Sequence, residues 1–231
     1  YPMNKIQVYL VPGLAASPSI FEYIKLPEDI FEIHFLEWFL PLEKESIEDY
    51  ALRMTKKIKH KNPVLIGVSF GGLLVQEMAL HIETRKVIII SSIKSNKELP
   101  MRLKIAKSTK AYKMIPTQLF SNVETLAKYA FGENAVSRRL KLYEKYLQMR
   151  DKKYLDWAIE NVILWRRTTP DENIIHIHGD EDAIFPIKHI KNAIVLKGAT
   201  HVLVIMKYKW LNENLPKLIL NTKENENDTK S

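Results

Sequence analysis

Residues 67 to 71 read Gly-Val-Ser-Phe-Gly, a G-x-S-x-G pattern. A serine framed in this way acts as a nucleophile when it sits on a sharp strand-to-helix turn that exposes its hydroxyl. From the chain's own glycine and serine content, such a match arises by chance about once in a hundred sequences of this length, so context must decide. The context favours the turn. An apolar run, Pro63 to Ile66, enters it, and a helix-like stretch leaves from Phe70. The bland alternative is a glycine-rich turn whose serine only caps the helix.

A serine hydroxyl is a weak nucleophile without a base. Seven histidines are available. His201, in Gly198-Ala199-Thr200-His201, follows the last apolar run and falls at the same sheet edge as Ser69. His178 directly precedes a turn and is the rival, read more simply as a hydrogen-bonded histidine at a strand end. His60 and His81 close helix-like stretches and are expected in solvent. His189 sits among lysines, and His34 and His176 lie inside strands. A catalytic histidine also needs an acid that fixes its tautomer and stabilises the imidazolium. His178-Gly179-Asp180-Glu181-Asp182 offers three carboxylates just past a strand. Asp182 is the first choice and Asp180 the second, because Asp180 follows Gly179 directly and suits a turn. The chain order is then Ser, Asp, His.

These residues need a scaffold that brings them together. Short β-branched runs span Ile6 to Val11, Val64 to Val68, Val87 to Ile90, Ile174 to His178 and Ala193 to Leu196, with a looser one from Phe31 to Trp38. They do not alternate, as expected of strands buried on both faces. Amphipathic stretches separate several of them: Ser46 to Ile58, with Ser46 as cap, and Phe70 to His81. Strand and helix in alternation imply parallel pairing in a doubly wound α/β sheet. Ligands bind such sheets at the carboxyl ends of the strands. Six of the seven glycines follow or end those runs.

Residues 94 to 169 break the alternation, with helical segments expected near 99–114, 121–131, 134–149 and 152–165. Tyr112, Phe120, Tyr129, Phe131, Tyr143, Tyr146, Tyr154, Trp157 and Trp165 give them apolar faces. The stretch holds 17 Lys/Arg against seven Asp/Glu, more than the whole net charge of +8. Either this is a solvated helical face or a surface that draws anions. Aromatics facing the sheet edge would wall an apolar pocket, with the cations outside. A last helix is expected near 207–220, kinked or ended at Pro216, and a polar disordered tail over 221–231.

With 231 residues and no cysteine, the chain can be neither a disulfide scaffold nor a thiol enzyme, and it holds no thiolate metal site. No apolar run reaches the length of a membrane span. No basic-then-apolar leader opens the sequence, so a cytoplasmic location is expected. No metal cluster, phosphate loop or nucleic-acid motif stands out, so no cofactor, metal or nucleic-acid partner is expected.

The elbow G-V-S-F-G-G at 67–72, the acid loop H-G-D-E-D-A-I-F-P at 178–186 and G-A-T-H at 198–201 resemble the α/β-hydrolase fold superfamily, over most of residues 3–220. That resemblance implies a doubly wound, mostly parallel sheet of about six strands, residues 3–93 and 170–220. It implies a helical lid, 94–169, inserted after the strand that follows the elbow helix. In the family the acid stands a few residues before a Val/Pro-like pair, a placement that Asp182 matches ahead of Phe185-Pro186. The oxyanion donors it implies are the N–H groups of Leu14, in Pro12-Gly13-Leu14, and of Phe70. The function expected is a serine hydrolase acting through an acyl-enzyme on a small-molecule carboxylic ester or related acyl substrate, with an anionic substrate as one option. The alternatives are a non-catalytic small-molecule receptor on the same scaffold, an acyltransferase, or a hydrolase of carbon–carbon bonds.

Overall fold

The computed structural model describes residues 4–132 and 140–221. Part of the helix expected from 134, and nearly all of the expected tail, lie outside the described residues. Six strands form one sheet: β1 (Ile6–Val11), β2 (Phe31–Phe35), β3 (Val64–Val68), β4 (Lys86–Ile90), β5 (Ile175–Gly179) and β6 (Ile194–Leu196). Their order is β2-β1-β3-β4-β5-β6, and every neighbouring pair is parallel. β3 is buried at all five positions, which only an apolar run without alternation can satisfy. The edge strands β2 and β6 keep exposed residues.

Register sets the functional edge. Val11 lies opposite Gly67, Val68 opposite Ile90, and Ile90 opposite Ile177. The carboxyl ends of the four central strands are therefore level. The chain leaves β1 outward to β2, then crosses back past β1 to β3. The crevice opened by that reversal lies between the loops after β1 and β3, where Gly13 and Ser69 stand.

Helix α1 (Ile47–Thr55) starts at Ser46, whose hydroxyl accepts the Asp49 N–H at 3.1 Å. Helix α2 (Phe70–Met78) is buried at every residue, and its two polar side chains are hydrogen-bonded, Gln76 to Gly72 O and Ile93 O, and Glu77 to Trp165 Nε1–H. Between β4 and β5 run α3 (Met101–Thr109), α4 (Val123–Phe131), α5 (Leu140–Tyr146) and α6 (Lys152–Ile163). The single helix expected over 99–114 is broken at Lys110, where a left-handed φ of 57° ends α3 before a short 3-10 turn. The run from Phe31 stops pairing after Phe35, and Trp38 turns inward and is buried. A short helix, α7 (Leu203–Met206), precedes α8 (Tyr208–Leu220), which does not end at Pro216 but continues to Leu220. Among the described residues no helix is long and apolar enough to cross a membrane.

Gly67 is where this packing is tightest. A Cβ there would lie 2.1 Å from the Gly71 carbonyl oxygen and 2.7 Å from the Gly72 nitrogen. Backbone atoms inside a buried helix cannot step aside. Gly67→Ala is expected to cost about 3 kcal/mol or more in urea unfolding. Gly13→Ala, whose Cβ would meet nothing closer than 3.4 Å, should stay within about 1 kcal/mol of wild type. Equal unfolding midpoints for the two variants would contradict this packing.

Candidate active site

Ser69 is the residue between β3 and α2, with φ 53° and ψ −118°. Residues with a side chain avoid this region, at a cost of about 1–3 kcal/mol. Three hydrogen bonds hold it there. Its N–H donates to Ile90 O at 2.9 Å, and its carbonyl accepts from the Ser92 hydroxyl at 2.7 Å and from Gly72 N–H at 2.9 Å. The Ser69 side chain makes no cap bond to the helix. Its hydroxyl instead lies 2.9 Å from Nε2 of His201. The bland reading of a capping serine is thereby removed.

His201 Nδ1 lies 2.8 Å from Asp182 Oδ2, and both side chains are buried. The other carboxylate oxygen, Oδ1, accepts the N–H groups of Ile184 and Phe185, each at 2.8 Å. An ionised carboxylate only accepts, so Nδ1 of His201 carries a proton and Nε2 of the neutral ring turns its lone pair to Ser69. Burial works against the Asp182 charge, but the neighbouring His201, its hydrogen bond, His178 and the Phe185 N–H outweigh it. The Asp182 carboxyl is held below the ordinary range.

Asp180 stands elsewhere. Its Oδ1 accepts the Gly198 N–H at 2.7 Å, tying the loop after β5 to the loop after β6. Glu181 N–H adds a bond to Ala199 O at 3.0 Å. The two loops approach so closely that a Cβ on Gly179 would sit 2.1 Å from Ala199 O. This contact sets the separation of Asp182 from His201.

The loop after β1 faces Ser69 from the other side. Phe70 is the first residue of α2, so its N–H has no carbonyl one turn back. Leu14 and Phe70 line the same cavity as Ser69. Sequence reasoning missed what holds this loop. Trp38 Nε1–H donates to Gly13 O at 2.9 Å, which fixes the peptide that carries the Leu14 N–H. Ala15, itself at φ 62°, gives its N–H to the Tyr154 hydroxyl at 3.1 Å. Ala15 O accepts from Met149 N–H at 3.0 Å, and Ser17 N–H donates to Tyr146 O at 2.7 Å. In the sequence Trp38 reads only as the last residue of an apolar run, which carries no signal of this bond.

The cavity over Ser69 has a volume of about 700 Å³. Leu103, Phe120, Tyr129, Ile159, Val162 and Ile163 wall it from the helical segment, and Ala183, Ile184 and Phe185 from the acid loop. A smaller apolar cleft, which shares Leu14, Ser69 and Ala130 with this cavity, includes Phe131, Val204 and Ile205. The aromatic wall expected from the sequence is mostly elsewhere. Phe120, Tyr129 and Phe131 reach these spaces, whereas Tyr146, Tyr154, Trp157 and Trp165 are buried in packing. Leu103, Ile159, Val162 and Ile163 complete the lining from the segment, while Trp157 packs against Tyr50 and Phe70 with ring centroids 4.4 and 5.6 Å apart. Two exposed cations, Arg102 and Lys128, stand on the cavity's border. Among the described residues, no group of three or more metal-ligating side chains forms.

His60, His34 and His178 are engaged away from Ser69. His60 Nδ1 bonds the Tyr9 hydroxyl at 2.6 Å, and His34 stacks on both rings. His178 is buried, with Nε2 2.7 Å from Phe185 O.

A single parallel sheet in this order, with these connections, is the α/β-hydrolase fold. Solved structures agree. The chain resembles a carboxylesterase of Nitrososphaera gargenis, with TM-score 0.64 and 16% identity over 94% of this chain and 90% of that one. It resembles a thermophilic esterase of Thermogutta terrifontis, with TM-score 0.61 and 14% identity over 94% and 90%. It also resembles an N-acyl homoserine lactonase crystallised with N-hexanoyl homoserine, with TM-score 0.63 and 16% identity over 94% and 89%. No protein-family model matches the chain, and no curated protein matches it by sequence.

Two histidines behind Asp182 give the fold an acid weakness. Burial, with Lys94 beside it, pushes His176 down from 6.5 to about 2, and burial lowers His178 as well. Below 6.5 the unfolded chain takes up a proton that the native ring refuses, so stability falls as pH falls. His176 alone should remove about 2 kcal/mol between pH 7 and pH 5. Urea unfolding at the two pH values checks this. His176→Gln should lose that much less on acidification, and an unchanged pH dependence would contradict the neutral ring.

Proposed function

We propose that this chain is a serine hydrolase that cleaves a carboxylic ester or a related acyl bond. One observation carries the reading. A strained, uncapped Ser69 hydroxyl is 2.9 Å from a histidine that is itself 2.8 Å from a buried, doubly hydrogen-bonded aspartate. In the proposed reaction Ser69 Oγ attacks the carbonyl carbon while His201 Nε2 takes its proton. Asp182 holds the ring in that tautomer and stabilises the imidazolium. The N–H groups of Leu14 and Phe70 receive the developing oxyanion, each contributing roughly 3 kcal/mol. His201 then protonates the leaving group, and water, deprotonated by His201, releases the acyl group.

The apolar cavity suits an acyl chain, and the helical segment 94–169 acts as its lid. Arg102 and Lys128 at the border, Lys128 also paired with Glu124 at 3.5 Å, favour a substrate that carries a negative group. The solved structures that share the fold include esterases and an N-acyl homoserine lactonase, which supports the same class here. A purely binding role would not require a strained serine aligned with a base.

A fluorophosphonate probe with intact-mass readout tests the nucleophile. Wild type should gain one adduct, and Ser69→Ala should gain none while remaining folded. Asp182→Asn should lower kcat about 10⁴-fold, because the amide can hold the wrong histidine tautomer. Full labelling of Ser69→Ala would move the nucleophile to another residue. For the substrate class, kcat/KM for a carboxylated ester should fall as salt rises, while a neutral ester of equal length changes little. A like response of both esters would remove the anionic preference.

A further inference from the structure

Behind Asp182 lies a chain of buried polar groups that the reaction does not use. Lys94, where the chain enters the helical segment after β4, is 3% exposed. A buried ammonium is costly unless every N–H finds a partner. Its three partners are Glu98 Oε2 at 3.3 Å, the Lys191 carbonyl oxygen, and His176 Nδ1 at 2.8 Å. A carboxylate and a carbonyl only accept, and an ammonium only donates. Glu98 is anchored in turn by Lys94 N–H at 2.6 Å and Lys191 N–H at 2.9 Å.

The direction then propagates. His176 Nδ1 must accept from Lys94, so the proton of the neutral ring is on Nε2. That Nε2–H points at His178 Nδ1, 3.1 Å away. His178 Nδ1 therefore accepts, and its proton is also on Nε2. His178 Nε2 is 2.7 Å from Phe185 O, which can only accept. The donor at one end and the acceptor at the other demand the same polarity throughout. Phe185 is also the residue whose N–H, with that of Ile184, holds Asp182 Oδ1.

We infer that Lys94, His176 and His178 form a one-way hydrogen-bond relay that positions Asp182 through the peptide groups of Phe185. These are positioning residues, not catalytic ones, and their effect on turnover rests on the serine-hydrolase reading. The relay also settles which histidine Asp182 serves. His178 Nε2 is 3.6 Å from Asp182 Oδ2, but its proton is committed to Phe185 O, and Oδ2 is left to His201. The relay joins the root of the helical segment to the acid loop.

Heteronuclear proton–nitrogen spectra of the wild-type protein near neutral pH give a test that needs no substrate. Both His176 and His178 should carry their proton on Nε2. A proton on Nδ1 of either ring overturns the relay. Function is read from three variants and an ester substrate. His178→Leu removes both the acceptor and the donor, and kcat should fall about tenfold or more with KM within about threefold. His178→Gln offers one acceptor and one donor at similar spacing, and should recover most of that loss. Lys94→Met keeps the stem but removes the donor, and should lower kcat in the same way. It serves if His178→Leu does not fold. The downfield resonance of the His201 Nδ1–H facing Asp182 should weaken in His178→Leu and return in His178→Gln. Wild-type kcat and an unshifted resonance in both disrupting variants sink the proposal. A wild type with the expected tautomers but no turnover of any ester counts against the Ser69 reading and leaves the relay standing.

Discussion

The backbone of Ser69 is the constraint from which the rest of this molecule can be read. Its φ of 53° with ψ of −118° is not stable by itself. It persists because β4 supplies an acceptor, Ile90 O, and Ser92, just beyond β4, a donor, while α2 closes its first turn on the Ser69 carbonyl. Those three bonds require β3 and β4 to be in register and α2 to lie against β3 at minimal distance. Gly67 permits that distance. The strain therefore ties sheet register, helix packing and hydroxyl direction into a single requirement, and relaxing any one of them lets the serine cap its helix like an ordinary residue.

The other half of the site depends on the helical segment, which does more than cover the cavity. The loop carrying Leu14 has no regular structure of its own. Its Gly13 carbonyl is taken by Trp38, and Trp38 stacks on Phe70 with ring centroids 4.8 Å apart. One side chain thus fixes the peptide that carries the Leu14 N–H and packs on the ring of the residue that carries the other proposed donor. Ala15 and Ser17 are held by Tyr154, Met149 and Tyr146, all within or beside α5 and α6. A fixed donor needs no reorganisation when charge develops beside it. Movements of the helical segment therefore bear on the donors as well as on access to the cavity.

Much of this was legible in the sequence because it is local. The G-x-S-x-G turn, the carboxylates after His178 and the histidine after Gly198 each follow an apolar run, and parallel pairing brings run ends together. The six strands could be read for the same reason, since unalternated β-branched runs have few other uses. What escaped was long-range. Nothing near Trp38 marks it as a brace for residue 13, and nothing near Lys94 sets it apart from ten other lysines between 94 and 169. The aromatics were misread in part because an apolar face says that a ring is buried, not against what. The break at Lys110 escaped because a lysine with positive φ carries no sequence signature, unlike glycine.

The same distinction explains why His178 and His201, both beside Asp182, do different work. By type and burial they are alike. They differ in what their second nitrogen meets. His201 Nε2 faces Ser69 Oγ, a hydroxyl that can give up its proton, so the ring can serve as a base. His178 Nδ1 faces the Nε2–H of His176, and its Nε2–H faces a carbonyl. It has no lone pair left for a substrate and no acid to return a proton. Burial lowers the affinity of both His176 and His178 for a further proton, and Lys94 adds its repulsion at His176. An imidazole in that setting conducts orientation, not protons. A buried lysine is a better origin for such a chain than a hydroxyl, because an ammonium can only donate, whereas a hydroxyl can rotate and reverse the whole sequence of bonds.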